Sequence, residues 1–124
     1  MAVGIVALLI ILTINTFIGQ IAKANDAKRK ADLNRIKIAL EEYEKDNNFY
    51  PASVTCPTDV GLTPYLQIIP CDPQTKQSYG YENDGTAHSG WFKIYALLQT
   101  DTTTPHFGPG GAYNYVQSSE SAPI

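Results

Sequence analysis

The side chains able to carry chemistry in this chain are two cysteines, two histidines, and scattered serines and aspartates. Cys56 and Cys71 are its full complement of thiols, and their spacing of fifteen positions is not the C-x-x-C of redox pairs or zinc sites. We therefore predict that they form one structural disulfide. Closing a loop of this length stabilises a fold by about 3 kcal/mol in the chain-entropy description.

Neither histidine has the neighbours that a metal or catalytic site requires. His88 and His106 stand eighteen positions apart, with no cysteine or carboxylate at ligand spacing. The serines lack the context of a nucleophile elbow, and the stretch Gly108-Pro109-Gly110-Gly111 is not followed by the lysine of a phosphate loop. The sequence thus predicts no metal, no cofactor and no enzymatic activity.

Length and charge limit the remaining classes of function. The chain has 124 residues, with 9 basic and 12 acidic side chains and a net charge of −3. This balance gives no general attraction to nucleic acid. One basic run, Lys28-Arg29-Lys30, follows an apolar segment closely, and we expect lipid head groups or neighbouring subunits to contact it.

The chain is organised around its first half. Residues 1–22 contain no charged residue, histidine or proline, and a helix of that length spans about 33 Å, enough for the roughly 30 Å apolar core of a bilayer. Asn15 lies inside this segment, and an amide in lipid is costly unless it contacts a partner helix. The segment is therefore predicted to cross a membrane and to contact other helices. The alternative is a removable signal peptide ending near Ala22, but no positive residue precedes the apolar run.

The segment that follows has the period of a helix with one buried face. Through residues 23–50 apolar side chains recur at spacings of three and four: Leu33, Ile36, Leu40 and Tyr43. No Pro or Gly interrupts this segment, so the two segments are predicted to form one continuous helix, the rod, which Pro51 terminates; about forty-seven helical residues would be roughly 70 Å long. A small domain cannot cover so long a rod, and the remaining apolar surface must contact another molecule.

Residues 51–124 are predicted to form a small β-rich globular domain, the head. Turn-forming residues dominate its beginning, with one helical turn expected near Gly61 to Leu66. Three strands are predicted: Ser78–Glu82, Trp91–Leu98 and Ala112–Gln117. Alternation in the central strand predicts that four side chains face the rod: Phe92, Ile94, Ala96 and Leu98. Two stretches are predicted to be exposed and mobile: Thr100–Pro109 and Ser118–Ile124.

The junction between rod and head carries a family resemblance. From Ala31 to Pro51 the chain follows the pattern ADL-x-x-I-x-x-AL-x-x-Y-x-x-DN-x-x-YP. This run, placed after an apolar N-terminal helix and before a β-rich domain, resembles the type IV pilins and the closely similar type II secretion pseudopilins. The resemblance covers nearly half of the chain.

The resemblance implies an α+β fold in which a long N-terminal helix packs against a small antiparallel sheet. It implies a structural subunit of a type IV pilus, a helical homo-oligomer, with a secretion pseudopilin as the alternative. A further alternative is a monomeric, membrane-tethered extracytoplasmic binding domain. The residues expected in the filament core are Val3, Ile5, Val6, Leu8, Leu9, Ile10, Leu12, Asn15, Phe17, Ile18 and Ile21.

The same resemblance implies where the chain resides and what it meets. It is expected in the cytoplasmic membrane before assembly, then in an extracellular filament built by an inner-membrane, ATP-driven machinery, with motility or adhesion as downstream roles. Ile5 stands where the family has a glutamate, so either the processing site and the glutamate lie upstream of Met1, which we expect, or this member lacks them. By the positive-inside rule, Lys23 and Lys28, which follow the apolar segment, would keep the head in the cytoplasm. A basic leader before the segment would oppose this effect and allow the head to lie on the other side of the membrane. Some pseudopilins bind Ca²⁺ in the head, but we expect three aspartates here to lie in exposed turns: Asp72, Asp84 and Asp101.

Overall fold

The structure, a computed structural model, describes residues 1–57 and 62–124. It contains one long helix, α1 (Ala2–Asn47), and three strands: β1 (Gly80–Asn83), β2 (Phe92–Ala96) and β3 (Tyr115–Ser118). The strands form one antiparallel sheet in the order β1-β2-β3. The predicted α+β arrangement, a long N-terminal helix with a small antiparallel sheet, is confirmed.

The rod is a single helix of 46 residues, which at about 1.5 Å per residue is about 69 Å long. It ends at Asn47, before the predicted stop at Pro51. Asn48 takes the left-handed conformation, φ 67°, and its N–H donates to the carbonyl oxygen of Glu44 at 2.6 Å. Asparagine tolerates this conformation better than other residues with a Cβ, so it ends the helix three residues earlier than proline would.

All three strands are shorter than or offset from the predicted ones, and at β2 and β3 a side chain competes with the sheet for the backbone. At the end of β2, the Leu98 N–H donates to Asn114 Oδ1 at 2.7 Å, and Asn114 Nδ2 donates back to the Leu98 carbonyl. Leu98 therefore leaves the ladder although its side chain stays buried. Because its side chain makes these bonds, Asn114 is not part of β3, which begins at the next residue, Tyr115.

The inward face predicted for the stretch Trp91–Leu98, which contains β2, is confirmed. Its four side chains are between 0% and 7% exposed: Phe92, Ile94, Ala96 and Leu98. The opposite face is not uniformly exposed, since Tyr95 is 3% exposed beneath the rings of Phe107 and Tyr113. Glycine at position 108 allows these rings to cover Tyr95, because a Cβ at that position would lie only 2.8 Å from the Tyr95 ring.

The core lies between β2 and the C-terminal half of α1. Leu33, Ile36 and Leu40 are at most 1% exposed and belong to the same apolar cluster as Phe92 and Ile94. Tyr43 is partly buried against that cluster. Each such side chain contributes about 1.5–3 kcal/mol on burial, so this stripe of the rod holds the head.

Cys56 and Cys71 form the predicted disulfide. The loop that they close places Leu62 and Ile69 in the core. The Leu66 N–H donates to the Leu62 carbonyl at 3.0 Å, which gives a single turn where a helical turn was expected. Gly61, the expected start of that turn, lies outside the described residues.

The two stretches predicted to be exposed and mobile are each anchored at their beginning. Thr100 donates to a carboxylate of the rod through both its N–H and its hydroxyl. Ser119 is 5% exposed; its hydroxyl accepts from the Phe92 N–H, and its own N–H donates to the Phe92 carbonyl. Sequence polarity gave no sign of these contacts, because each partner is more than 25 positions away.

Candidate functional site

The first candidate site is the apolar part of α1. Every side chain from Ala2 to Ile21 is exposed, and the helix is long and apolar enough to cross a membrane by length and composition. Val3 is 83% exposed and Phe17 66% exposed. Burying one large apolar side chain is worth about 1.5–3 kcal/mol, so a surface carrying this many requires lipid or protein around it.

All eleven residues predicted for a filament core lie on this surface. The structure places none of them against the head. They are Val3, Ile5, Val6, Leu8, Leu9, Ile10, Leu12, Asn15, Phe17, Ile18 and Ile21.

Polar side chains within this segment bond to the helix backbone. The Thr13 hydroxyl donates to the Ile10 carbonyl at 2.8 Å, and the Thr16 hydroxyl donates to the Leu12 carbonyl at 3.1 Å. Asn15 Nδ2 donates to the Ile11 carbonyl at 3.0 Å. Among the described residues its Oδ1 receives no hydrogen bond, so this acceptor remains for a donor on another helix.

A shallow groove of about 370 Å³ runs along one side of the segment. Its residues recur at spacings of three and four, which keeps them on one face of the helix. The small threonines lie between larger apolar side chains, an arrangement that lets a second helix approach closely. The lining residues are Leu9, Leu12, Thr13, Thr16, Phe17 and Gln20.

The second candidate is a polar cluster around the buried Arg29 where the head meets the rod, which we call the joint. It consists of Asp26 and Arg29 from α1, Asp72 and Gln74 from the turn after the disulfide, and Gln99 and Thr100 from the loop after β2. The Arg29 side chain is 2% exposed. A guanidinium so deeply buried is stable only when all of its donors are paired.

Arg29 meets that condition. Its Nε and Nη2 donate to the two oxygens of Asp72 at 2.6 and 3.2 Å, a bidentate pair. Nη1 donates to Asp26 Oδ1 at 2.8 Å and to Gln99 Oε1 at 3.3 Å, and Nη2 also donates to Gln74 Oε1 at 3.3 Å. These five hydrogen bonds use the five N–H groups of the side chain.

The two carboxylates also bind backbone N–H groups of the head. Asp26 accepts from the N–H groups of Gln99 and Thr100, both at 2.8 Å. Asp72 accepts from the N–H groups of Gln74 and Thr75 at 2.9 and 3.0 Å. Each carboxylate therefore orders one loop of the head while it neutralises the same arginine.

This arrangement lowers the pKa of both acids. Burial alone would raise the pKa of Asp72, but the hydrogen bonds from Arg29 and from the Thr75 and Gln74 amides outweigh it and lower the pKa from 3.8 to about 2. Burial opposes ionisation of Asp26 as well, and the hydrogen bonds from Thr100, Gln99 and Arg29 hold its pKa below 3.8. Both groups are ionised at neutral pH.

Acid should therefore weaken the joint through Asp72. The unfolded chain takes up this proton at a higher pH than the folded chain, so the stabilisation is fully present above about pH 4 and is lost as the pH falls through about 2; it amounts to about 2 kcal/mol. We expect urea unfolding in detergent, between about pH 6 and pH 2, to show this loss. Asp72→Asn should remove that part of the pH dependence, whereas Glu42→Gln, at an exposed helix position, should leave it. An unchanged slope in Asp72→Asn would contradict the assignment.

The environment predicted for the run Lys28-Arg29-Lys30 is wrong for its central residue. Arg29 is buried in the joint rather than at a lipid or subunit surface. Lys28 pairs with Asp32 at 3.0 Å, and Lys30 Nζ lies 5.5 Å from the centre of the Tyr115 ring. The run follows a helix, so its three side chains point in different directions and meet different surroundings.

The aspartates expected in exposed turns divide into two kinds. Asp72 is 9% exposed, so that prediction is wrong for it. Asp84 and Asp101 do lie in turns: Asp84 accepts from Thr86 and Gly90, and Asp101 accepts from Thr103 and Thr104. Across residues 1–57 and 62–124 no three His, Cys, Asp or Glu side chains are grouped to hold a metal.

Sequence reasoning missed the joint, although one signal for it was present. Asp26 and Arg29 extend the stripe of Leu33, Ile36 and Leu40 backwards at the same spacings of three and four. Charged residues in register with a buried stripe indicate a buried ion pair. Their partners in the head, which are at least 43 positions away, give no comparable signal.

Comparison with models of protein families, with curated proteins and with solved structures finds nothing that matches this chain.

Proposed function

We propose that the chain is the structural subunit of a type IV pilus filament, which polymerises through the apolar half of α1. One observation supports this above the others: from Ala2 to Ile21 the helix exposes every side chain, yet it continues without a break into the stripe that holds the head. A helix of this kind serves as a membrane anchor before assembly and as the core of a bundle afterwards.

In this proposal, assembly replaces the lipid around the apolar half of α1 with helices of other subunits. In the membrane, residues 2–21 contact lipid chains; in the filament, the same side chains contact equivalent helices of other subunits. Lipid chains are as apolar as leucine, so close packing and hydrogen bonds must favour the bundle. The threonine-lined groove and the free Asn15 acceptor supply both. A head-to-tail contact that does not close on itself produces an open helix of subunits.

The polymer needs partners that the chain does not provide. Extraction of an apolar helix from a bilayer consumes energy, and the sequence has no nucleotide-binding motif. We therefore include an inner-membrane, ATP-driven assembly machinery in the proposal. The filament would lie outside the cell, where the disulfide is stable. A pseudopilus of a type II secretion system would use the same contacts, and the length and location of the fibre distinguish the two.

The direct test places a photo-crosslinking residue at Leu9 or Phe17 of the full chain in its host cells. We expect ladders of cross-linked subunits together with surface fibres in electron micrographs. Deletion of the protein should abolish the fibres, and cells without the assembly ATPase should lose the ladders. Cross-links to lipid alone, in cells with an intact machinery, would contradict the proposal and favour a monomeric, membrane-tethered domain.

Asn15→Leu separates a packed bundle from a simple anchor. Loss of one hydrogen bond between helices is worth about 0.6–2 kcal/mol, so the yield of cross-linked subunits should fall by about threefold to thirtyfold. A stalk that contacts lipid alone would gain hydropathy and lose nothing. Ile14→Leu, at the neighbouring position, is the matched control and should leave the yield unchanged.

A further inference from the structure

The joint holds two separate parts of the head, and each part has its own carboxylate. Asp26 binds the loop after β2 through the N–H groups of Gln99 and Thr100. Asp72 binds the turn after the disulfide through the N–H groups of Gln74 and Thr75. Arg29 links the two carboxylates. The Arg29 Nε–H, which donates to Asp72 Oδ2, therefore reports on one half of the joint, and the amides of Gln99 and Thr100 report on the other.

The Asp72 half is built on the disulfide. Cys71 directly precedes Asp72 in the chain. The turn is closed by the Asp72 N–H, which donates to the Gln77 carbonyl at 2.9 Å. At its far end, the Ser78 hydroxyl accepts from the Cys56 N–H at 2.9 Å. Cys56 thus holds both ends of the turn, one through the S–S bond and the other through its own amide.

The Asp26 half has no such connection. Asp26 belongs to α1, and Gln99 and Thr100 follow directly on β2. Their loop is fixed by Asn114, whose Nδ2 donates to the carbonyls of Leu98 and Asp101. None of these contacts passes through the disulfide loop.

We propose that the Cys56–Cys71 disulfide is a redox-sensitive latch on the joint, which controls how firmly Asp72 is held against Arg29. Neither cysteine is fully buried, and the reductant in the proposal is a small dithiol. The dithiol gives up two electrons and two protons and becomes a cyclic disulfide, while Cys56 and Cys71 each gain one electron and one proton as thiols. Reduction releases the Asp72 turn from the rod and leaves the Asp26 half and the sheet in place.

The latch does not depend on the proposed function, and hydrogen exchange on the full chain in detergent micelles tests it. Exchange at the Arg29 Nε–H and at the amides of Gln99 and Thr100 is measured by nuclear magnetic resonance before and after reduction with dithiothreitol. We expect protection to fall at least tenfold at the Arg29 Nε–H, which donates to Asp72, and to change less than twofold at the two amides. Reoxidation should restore protection at the Arg29 Nε–H.

Two results would overturn the latch. An equal loss at the Arg29 Nε–H and at both amides would mean that the disulfide stabilises the whole head, and unchanged protection at the Arg29 Nε–H would separate the disulfide from the joint altogether. The double variant Cys56→Ser, Cys71→Ser repeats the measurement without reductant. If this variant does not fold, all three groups lose protection together, which counts against the latch in the same way.

Discussion

Replacing Arg29 with methionine should lower the free energy of unfolding by about 3–5 kcal/mol. The change removes five hydrogen bonds and leaves Asp26 and Asp72 buried without their counter-ion. Methionine fills much of the same space, so the loss reflects charge rather than a cavity. Chemical denaturation of the full chain in detergent, followed by near-ultraviolet circular dichroism, measures it.

Arg35→Met is the matched control for this substitution. Arg35 lies on the same helix but is exposed, and surface substitutions of this kind change stability by about 0.5 kcal/mol or less. Adding Asp72→Leu to Arg29→Met should restore part of the loss, because an apolar pair replaces an unpaired carboxylate. A cost below about 1 kcal/mol for Arg29→Met would show that the joint contributes little to the attachment of the head.

Removal of residues 1–22 should abolish membrane association and assembly entirely while the head stays folded. None of the side chains from Ala2 to Ile21 is buried, and within residues 1–57 and 62–124 the first hydrogen bonds between rod and head are those of Asp26. The remaining chain keeps the disulfide, the joint and the core stripe of α1. We expect a soluble monomer in analytical ultracentrifugation, with a melting temperature within a few degrees of that of the full chain in detergent.

The truncated chain is compared with the intact chain in detergent and with the Asn15→Leu variant. If the truncated protein still forms fibres, the heads alone carry assembly, and the proposed role of the apolar helix is wrong. If it is unfolded, the apolar segment supports the head in a way that its exposure does not account for. Analytical ultracentrifugation would detect the fibres, and the melting measurement would detect the unfolded chain.

The parts of this fold that local patterns encode were predictable from the sequence. The period of Leu33, Ile36 and Leu40 predicted the buried stripe of the rod, and alternation predicted the inward face of β2. Both patterns follow from the geometry of one element alone. The disulfide was predictable because the chain offers one pair of cysteines.

What the sequence did not reveal are contacts between side chains and distant backbone. Asn48 ends the helix, Asn114 shortens β2, and Ser119 anchors the last segment. At Asn114 and Ser119 a small polar side chain takes the place of a regular backbone hydrogen bond, whereas Asn48 acts through its own left-handed backbone, whose N–H donates to the Glu44 carbonyl. Such residues look like ordinary turn formers in sequence, since their partners are fixed only when the tertiary structure forms.

The way in which the head is attached to the rod has a mechanical consequence. The head contacts the rod along a stripe from Asp26 to Tyr43, parallel to the helix axis. Tension along that axis loads the Arg29 ion pairs and the apolar contacts of Leu33, Ile36 and Leu40 together, in shear, instead of opening them one after another. A chain pulled by its helix is therefore expected to resist as a whole, and the three short strands of the sheet should carry little of the force.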